Sequence, residues 1–210
     1  SISMKSKPIF ISGIGTGVGK TVASAILVEK LKADYWKPIQ SGDLDHSDTD
    51  AVKKLVSNKI SKFHPEAYRL SQPFSPHKAA HLDGIRINID AITLPQTENT
   101  LIIEGAGGLM VPLNEKDLMI DLIQKIDAEL VLVISHYLGS INHSLLSIEL
   151  LMQRKIPIKG LIINGNPDPY SEDILLHYKN INLIGRVQQY AQLDAEAVRA
   201  AATGLCYDVS

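Results

Sequence analysis

The run Gly13-Ile14-Gly15-Thr16-Gly17-Val18-Gly19-Lys20-Thr21 gathers four glycines, a lysine and two hydroxyls into nine positions. Glycines let backbone N–H groups converge on an anion without interference from Cβ. A lysine at this spacing reaches β- and γ-phosphate oxygens, and the hydroxyl of Thr21 suits Mg²⁺. The chemistry is that of a phosphate cradle, and its ligand is a nucleoside triphosphate. The common motif has a glycine five positions before the glycine of the Gly-Lys pair, where this chain has Ile14. The cradle therefore runs from Gly13 through five residues to Gly19, one residue longer than usual.

Further reactive types stand where strands are expected to end, the edge at which open α/β sheets collect their ligands. Lys37 would add a second positive charge where phosphate charge develops. The bland alternative is a surface lysine with its stem packed on Trp36. Glu104 follows a buried apolar run and precedes four small residues, which suits an acid holding Mg²⁺, an ion that takes one or two carboxylates. Asp43, Asp45, Asp48 and Asp50 form an acidic run that reads mostly as a solvated loop with a helix cap. One of the four can complete the metal site, and spacing alone does not choose it. Asn164 suits either a purine edge or a turn. The seven histidines have no metal-ligand spacing.

These groups require a repeating scaffold to hold them. Ile9-Phe10-Ile11 reads as the strand before the cradle, and Val22, Ile26, Leu27 and Leu31 as one face of a helix opening at Lys20. That helix N-terminus supplies further N–H donors. A second strand is expected over 34–40, with Pro38 near its end, and a helix from about Asp50. The stretch 61–85 is irregular. Strands follow at 100–104, 128–135, 158–164 and 181–187, with helices at 117–126, 140–154, 171–179 and 192–202. Strands alternating with helices predict an α/β fold of the P-loop NTPase-like kind, a parallel sheet with helices on both faces.

The 210 residues suit a single domain over 1–210, with 45% apolar and 21% charged residues as in ordinary globular chains. A net charge of −2 offers no footprint for nucleic acid or an anionic membrane. The apolar runs are strand-sized and no secretory leader is read at the N-terminus. The lone Cys206 excludes an intramolecular disulfide and fits a reducing compartment, so a cytoplasmic protein is expected.

Five blocks in order make the chain resemble the dethiobiotin synthetase family along nearly its whole length. They are GIGTGVGKTVAS at 13–24, WKPIQSG at 36–42, SPHKAA at 75–80, EGAGG at 104–108 and LGSINH at 138–143. The long cradle is one of them. The resemblance implies an enzyme using ATP, Mg²⁺, CO₂ and 7,8-diaminononanoate. One amine takes up CO₂, the carbamate oxygen attacks the γ-phosphate, and the second amine closes the ureido ring and expels phosphate. It implies that Gly15, Thr16, Gly17, Val18 and Gly19 line the ATP loop, with Lys20 and Thr21 on phosphates and Mg²⁺. Lys37 would touch the carbamate and the transferred phosphoryl group, with Ser41 and Gly107 beside the substrate. Glu104 and an aspartate would hold the metal. The small residue and helix after it favour Asp50, with Asp48 as the alternative. Asn164 would face the adenine.

In the family the site lies at a homodimer interface, so Gly139, Ser140, Ile141 and Asn142 would serve the neighbouring subunit's substrate. Gly17 stands where some members carry an acid, and the segment after Gly185 lacks a proline common there. A second reading is a regulatory ATPase of the partition type. Such proteins place another lysine early in the loop, where this chain has Gly13, Ile14 and Gly15, and the closing helix is poor in large apolar residues for a membrane anchor.

Overall fold

The computed structural model describes residues 6–207. The first unit is β1 (Ile9–Gly13), the cradle and α1 (Lys20–Leu31). Then follow β2 (Asp34–Trp36), β3 (Ile39–Ser41), α2 (Asp48–Leu55), β4 (Phe63–His64), β5 (Tyr68–Leu70) and α3 (Pro76–Leu82). The remainder alternates β6 (Leu101–Glu104), α4 (Met119–Ile126), β7 (Glu129–Ser135), α5 (Ser140–Gln153), β8 (Ile158–Asn164), α6 (Pro169–Tyr178), β9 (Leu183–Val187) and α7 (Ala195–Thr203).

Seven strands form one sheet in the order β4-β2-β6-β1-β7-β8-β9, and every pairing within it is parallel. This is the P-loop α/β architecture that the alternating elements predict. Every residue of β1 is buried, which requires the unbroken apolar character of Ile9, Phe10 and Ile11. Successive side chains point to opposite faces. Phe10, Ile103, Leu132 and Ile134 therefore pack with Ile120, Ile148 and Leu175 of α4, α5 and α6. Ile9, Ile11, Val131 and Val133 face the other way, onto Ile26, Val52 and Val198 of α1, α2 and α7. The sheet is covered on both sides. Among the described residues no helix is long and apolar enough to cross a membrane.

The expected single strand over 34–40 is two strands. Pro38 has no N–H to donate, so the chain leaves the main sheet after Trp36 and restarts as β3. There β3 pairs with β5 in a separate two-stranded sheet, in register Ile39↔Tyr68 and Ser41↔Leu70. The break puts Lys37 between two sheets, over the edge where the main strands end. The helix expected from Asp50 begins two residues earlier, at Asp48. The irregular stretch holds β4, β5 and α3.

Candidate active site

Parallel pairing brings the carboxyl ends of the strands to one edge. Ile11 lies opposite Glu104, Gly13 opposite Val133, and Ser135 opposite Asn164. Along this edge lies a cavity of about 790 Å³, within the usual range for small-molecule sites. Thr16, Gly17, Gly19, Lys20 and Thr21 form one wall, with Lys37, Ser41, Asp48, Glu104, Gly107 and Asn164 around the rest.

The cradle owes its shape to its glycines. Gly19 has φ 101°, and a Cβ there would stand 2.6 Å from Asn164 Nδ2. A Cβ on Gly13 would meet Val18 at 2.5 Å and the Gly15 carbonyl at 2.8 Å. With Gly19 as N-cap, α1 has no side-chain cap and no acid in its first turn. Its first N–H groups are thus available to an anion. Lys20 Nζ donates to the Gly15 carbonyl at 3.0 Å, and Asn164 Nδ2 donates to the Val18 carbonyl at 2.9 Å. Burial holds the Lys20 pKa below its ordinary value, partly opposed by Glu104.

Opposite the cradle, Lys37 is buried and its ammonium donates to Asp48 and, at 3.5 Å, to Glu104 Oε2. Burial alone would lower its pKa, but Glu104 and Asp48 hold it above the ordinary lysine value. Lys37 is therefore a charged ammonium at neutral pH. Thr21 Oγ1 donates to Glu104 Oε2 at 3.0 Å, and the Tyr35 hydroxyl donates to Glu104 Oε1 at 2.8 Å. Burial pushes the Glu104 carboxyl up, with Lys37 pulling the other way.

Asp50 does not join this group. Ser47 caps α2 by accepting from the Asp50 amide at 3.1 Å, and Asp50 accepts from the Ser47 amide at 3.1 Å. This reciprocal capping box turns Asp50 to solvent, beside Asp45 and Lys54 rather than the main cavity. Asp48, one helical position into α2, meets Lys37 instead. Its amide donates to Gln40 Oε1 at 3.2 Å, while Gln40 Nε2 donates to the Gly42 carbonyl, so a buried glutamine ties α2 to β3.

Gly139, Ser140, Ile141 and Asn142 open α5 and lie outside the cavity of their own chain. Ser41 lines it, with a buried hydroxyl that has no hydrogen-bond partner among the described residues. Two groups lie outside the sequence-derived site set. Pro73, Phe74, Ser75 and Pro76 form a cavity wall, and Gln188, Gln189 and Tyr190 surround an adjoining space of about 380 Å³ that shares Gly19, Val22 and Asn164. The SPHKAA block flags Ser75 and Pro76 of the first group, while the resemblance marks the segment after Gly185 only by the proline it lacks.

Fold and site together define a P-loop nucleotide-binding α/β protein. Solved structures share the architecture at low identity. A ParA family ATPase from Chlorobium tepidum superposes with a TM-score of 0.53 at 14% identity, over 95% of this chain and 99% of that one. A chain of a MinC:MinD cell division protein complex from Aquifex aeolicus superposes with a TM-score of 0.51 at 14% identity, over 93% of this chain and 86% of that one. A family profile described as an AAA domain matches residues 7–197. The ATP-dependent dethiobiotin synthetase BioD of Christiangramia forsetii is 53% identical over 92% of this chain and 93% of its own length. That of Cytophaga hutchinsonii is 46% identical over 95% and 97%. The chain belongs to the dethiobiotin synthetase family.

Proposed function

We propose that this chain closes the ureido ring of dethiobiotin from 7,8-diaminononanoate and CO₂ while converting ATP to ADP and phosphate, a step of biotin biosynthesis. The observation that carries the reading is the 53% identity, over 92% of the chain, with a relative named for that synthetase. The site chemistry agrees with it. Phosphoryl transfer asks the protein for positioning and charge neutralisation, and the substrate brings its own nucleophiles. Lys20 and the N-terminus of α1 would bind the phosphates. Lys37, held protonated, would neutralise charge on the carbamate and the transferred phosphoryl group. Ser41, Gly107 and the 73–76 wall would position the diamine. Asn164 and the adjoining space beside Tyr190 would take the nucleobase.

The donor set also fits a magnesium ion. The Thr21 hydroxyl and the Glu104 carboxylate touch, and Lys37 joins Glu104 to Asp48, giving hard oxygen donors with two carboxylates. Thr21, Glu104 and Asp48 would hold it, Asp48 taking the part that the resemblance gives to Asp50. When bound, Mg²⁺ supplies charge neutralisation at the β- and γ-phosphates. Asp48→Asn should raise the Mg²⁺ concentration for half-maximal turnover by about 10- to 100-fold, the range seen when metal-site groups are altered. Asp50→Asn should leave it unchanged and weaken only the helix cap. The reverse pattern would return the role to Asp50.

The proposal extends to a cytoplasmic homodimer acting without nucleic acid or membrane. Residues 139–142 lie beside exposed Leu138 and Leu146, with Met110 also exposed, an apolar surface of the kind a subunit interface covers. In a dimer this loop would complete the neighbour's substrate site.

Phosphate release from Mg-ATP and bicarbonate, measured with and without 7,8-diaminononanoate, tests the reaction. Release that depends on the diamine and yields dethiobiotin is the expected result. Slow hydrolysis indifferent to the diamine would overturn it in favour of a regulatory ATPase.

A further inference from the structure

Glu104 is 1% exposed, and its two oxygens keep different company. Oε2 faces Thr21 and Lys37, whereas Oε1 accepts only the Tyr35 phenol among its described hydrogen bonds. Tyr35 is wholly buried. In the β2–β6 register Tyr35 lies opposite Ile102, so it shares a sheet face with Ile102 and with Glu104 two residues on. A phenol is long enough to span that diagonal. Serine or threonine would fall short, and phenylalanine would reach without a donor.

We propose that Tyr35 is a positioning residue for Glu104, holding Oε1 so that Oε2 alone is presented to the cation site. The proposal rests on Glu104 being a metal ligand. A carboxylate held at one oxygen cannot swing to offer both. Ca²⁺ accepts a bidentate carboxylate and flexible geometry, whereas Mg²⁺ demands a near-ideal octahedron. Tyr35 thereby favours the smaller ion. Without the phenol, Oε1 would be a buried acceptor with no partner, a state relieved by rotating the carboxylate. A bulky aromatic in the core also has a purely structural use, since Tyr35 packs 6.5 Å from the Phe63 ring. Tyr35→Phe keeps that packing and removes only the hydroxyl.

Binding of Mn²⁺ in the presence of a non-hydrolysable ATP analogue, followed by electron paramagnetic resonance, separates the two roles. The wild type, Tyr35→Phe, Glu104→Gln and the double variant are compared, each with a thermal melt and a nucleotide titration in chelator. Tyr35→Phe should weaken Mn²⁺ binding about 10-fold, the lower range for outer-shell partners. It should also narrow the preference for Mg²⁺ over Ca²⁺ in competition, with metal-free nucleotide affinity unchanged. The double variant should bind Mn²⁺ no worse than Glu104→Gln. A structural role would instead lower the melting temperature in both backgrounds and leave Mn²⁺ affinity alone. If Glu104→Gln loses Mn²⁺ while Tyr35→Phe binds as wild type, the positioning role is overturned and the metal reading stands. If Glu104→Gln binds as wild type, the metal reading itself is overturned.

Discussion

Replacing Lys37 with alanine is expected to lower single-turnover phosphate formation by about 10³-fold, the scale of losing one preorganised charge at a phosphoryl transition state. Nucleotide affinity should change far less. Lys37 sits across the cavity from the cradle, whose Lys20 and helix N-terminus remain in place. Its ammonium is fixed by two carboxylates and buried, so it meets developing charge without reorganising. Arginine should not rescue it. A planar guanidinium is larger than the compact ammonium that Asp48 and Glu104 enclose, and its donors point in a fixed fork. Methyl or amide replacements would both remove the ammonium charge that Asp48 and Glu104 fix in the site, so Lys37→Gln should resemble Lys37→Ala. Retention of more than a tenth of the wild-type rate in Lys37→Ala would reduce Lys37 to a structural counter-ion.

How far the sequence discloses this site depends on how local the determining chemistry is. The cradle is legible because the glycines and the Lys-Thr pair that build it are contiguous. The strands β7 and β8 are legible because a strand buried on both faces must be continuously apolar. The small β3–β5 sheet is not, since three-residue strands have no period to read and their pairing joins residues 39 and 68. Which of Asp48 and Asp50 faces the cavity is a local matter after all. Ser47 with Asp50 three residues later is a capping box, which commits Asp50 to its own helix and leaves Asp48 free to turn inward. Tyr35 is hidden for a different reason. In sequence it is one more aromatic in a core strand, and only the strand register aligns it with Glu104.

The opposite end of β2 carries the second large expectation. Asp34→Ala should lower the free energy of unfolding by about 1–3 kcal/mol, the cost of removing a carboxylate that several hydrogen-bond donors share. Asp34 is fully buried, and its carboxylate accepts from Thr97 Oγ1 at 2.6 Å, Asn99 Nδ2 at 2.8 Å and the Lys62 amide at 3.0 Å. His64 Nε2 lies 2.7 Å from the same group. One side chain thus fastens both the connection into β4 and the connection into β6. Alanine would take away the acceptor that these half-buried and exposed donors share. The linkage to pH has a definite sign. Burial would raise the Asp34 pKa, but the bonds from Thr97, Asn99, His64 and Lys62 outweigh it and hold the carboxyl below its ordinary value. A carboxyl depressed in the folded state contributes its full stability above the unfolded pKa of about 3.9 and loses it as the pH falls through the folded value. Urea unfolding of both proteins at pH 7 and at stepped acid pH tests this. The alanine variant should be weaker at pH 7 and should show a flatter acid decline than the wild type. Because Asp34 opens β2 and Lys37 lies beyond its far end, turnover well below the melting temperature should survive. A loss under about 1 kcal/mol at pH 7 would mean that the four donors find water as readily as they find the carboxylate.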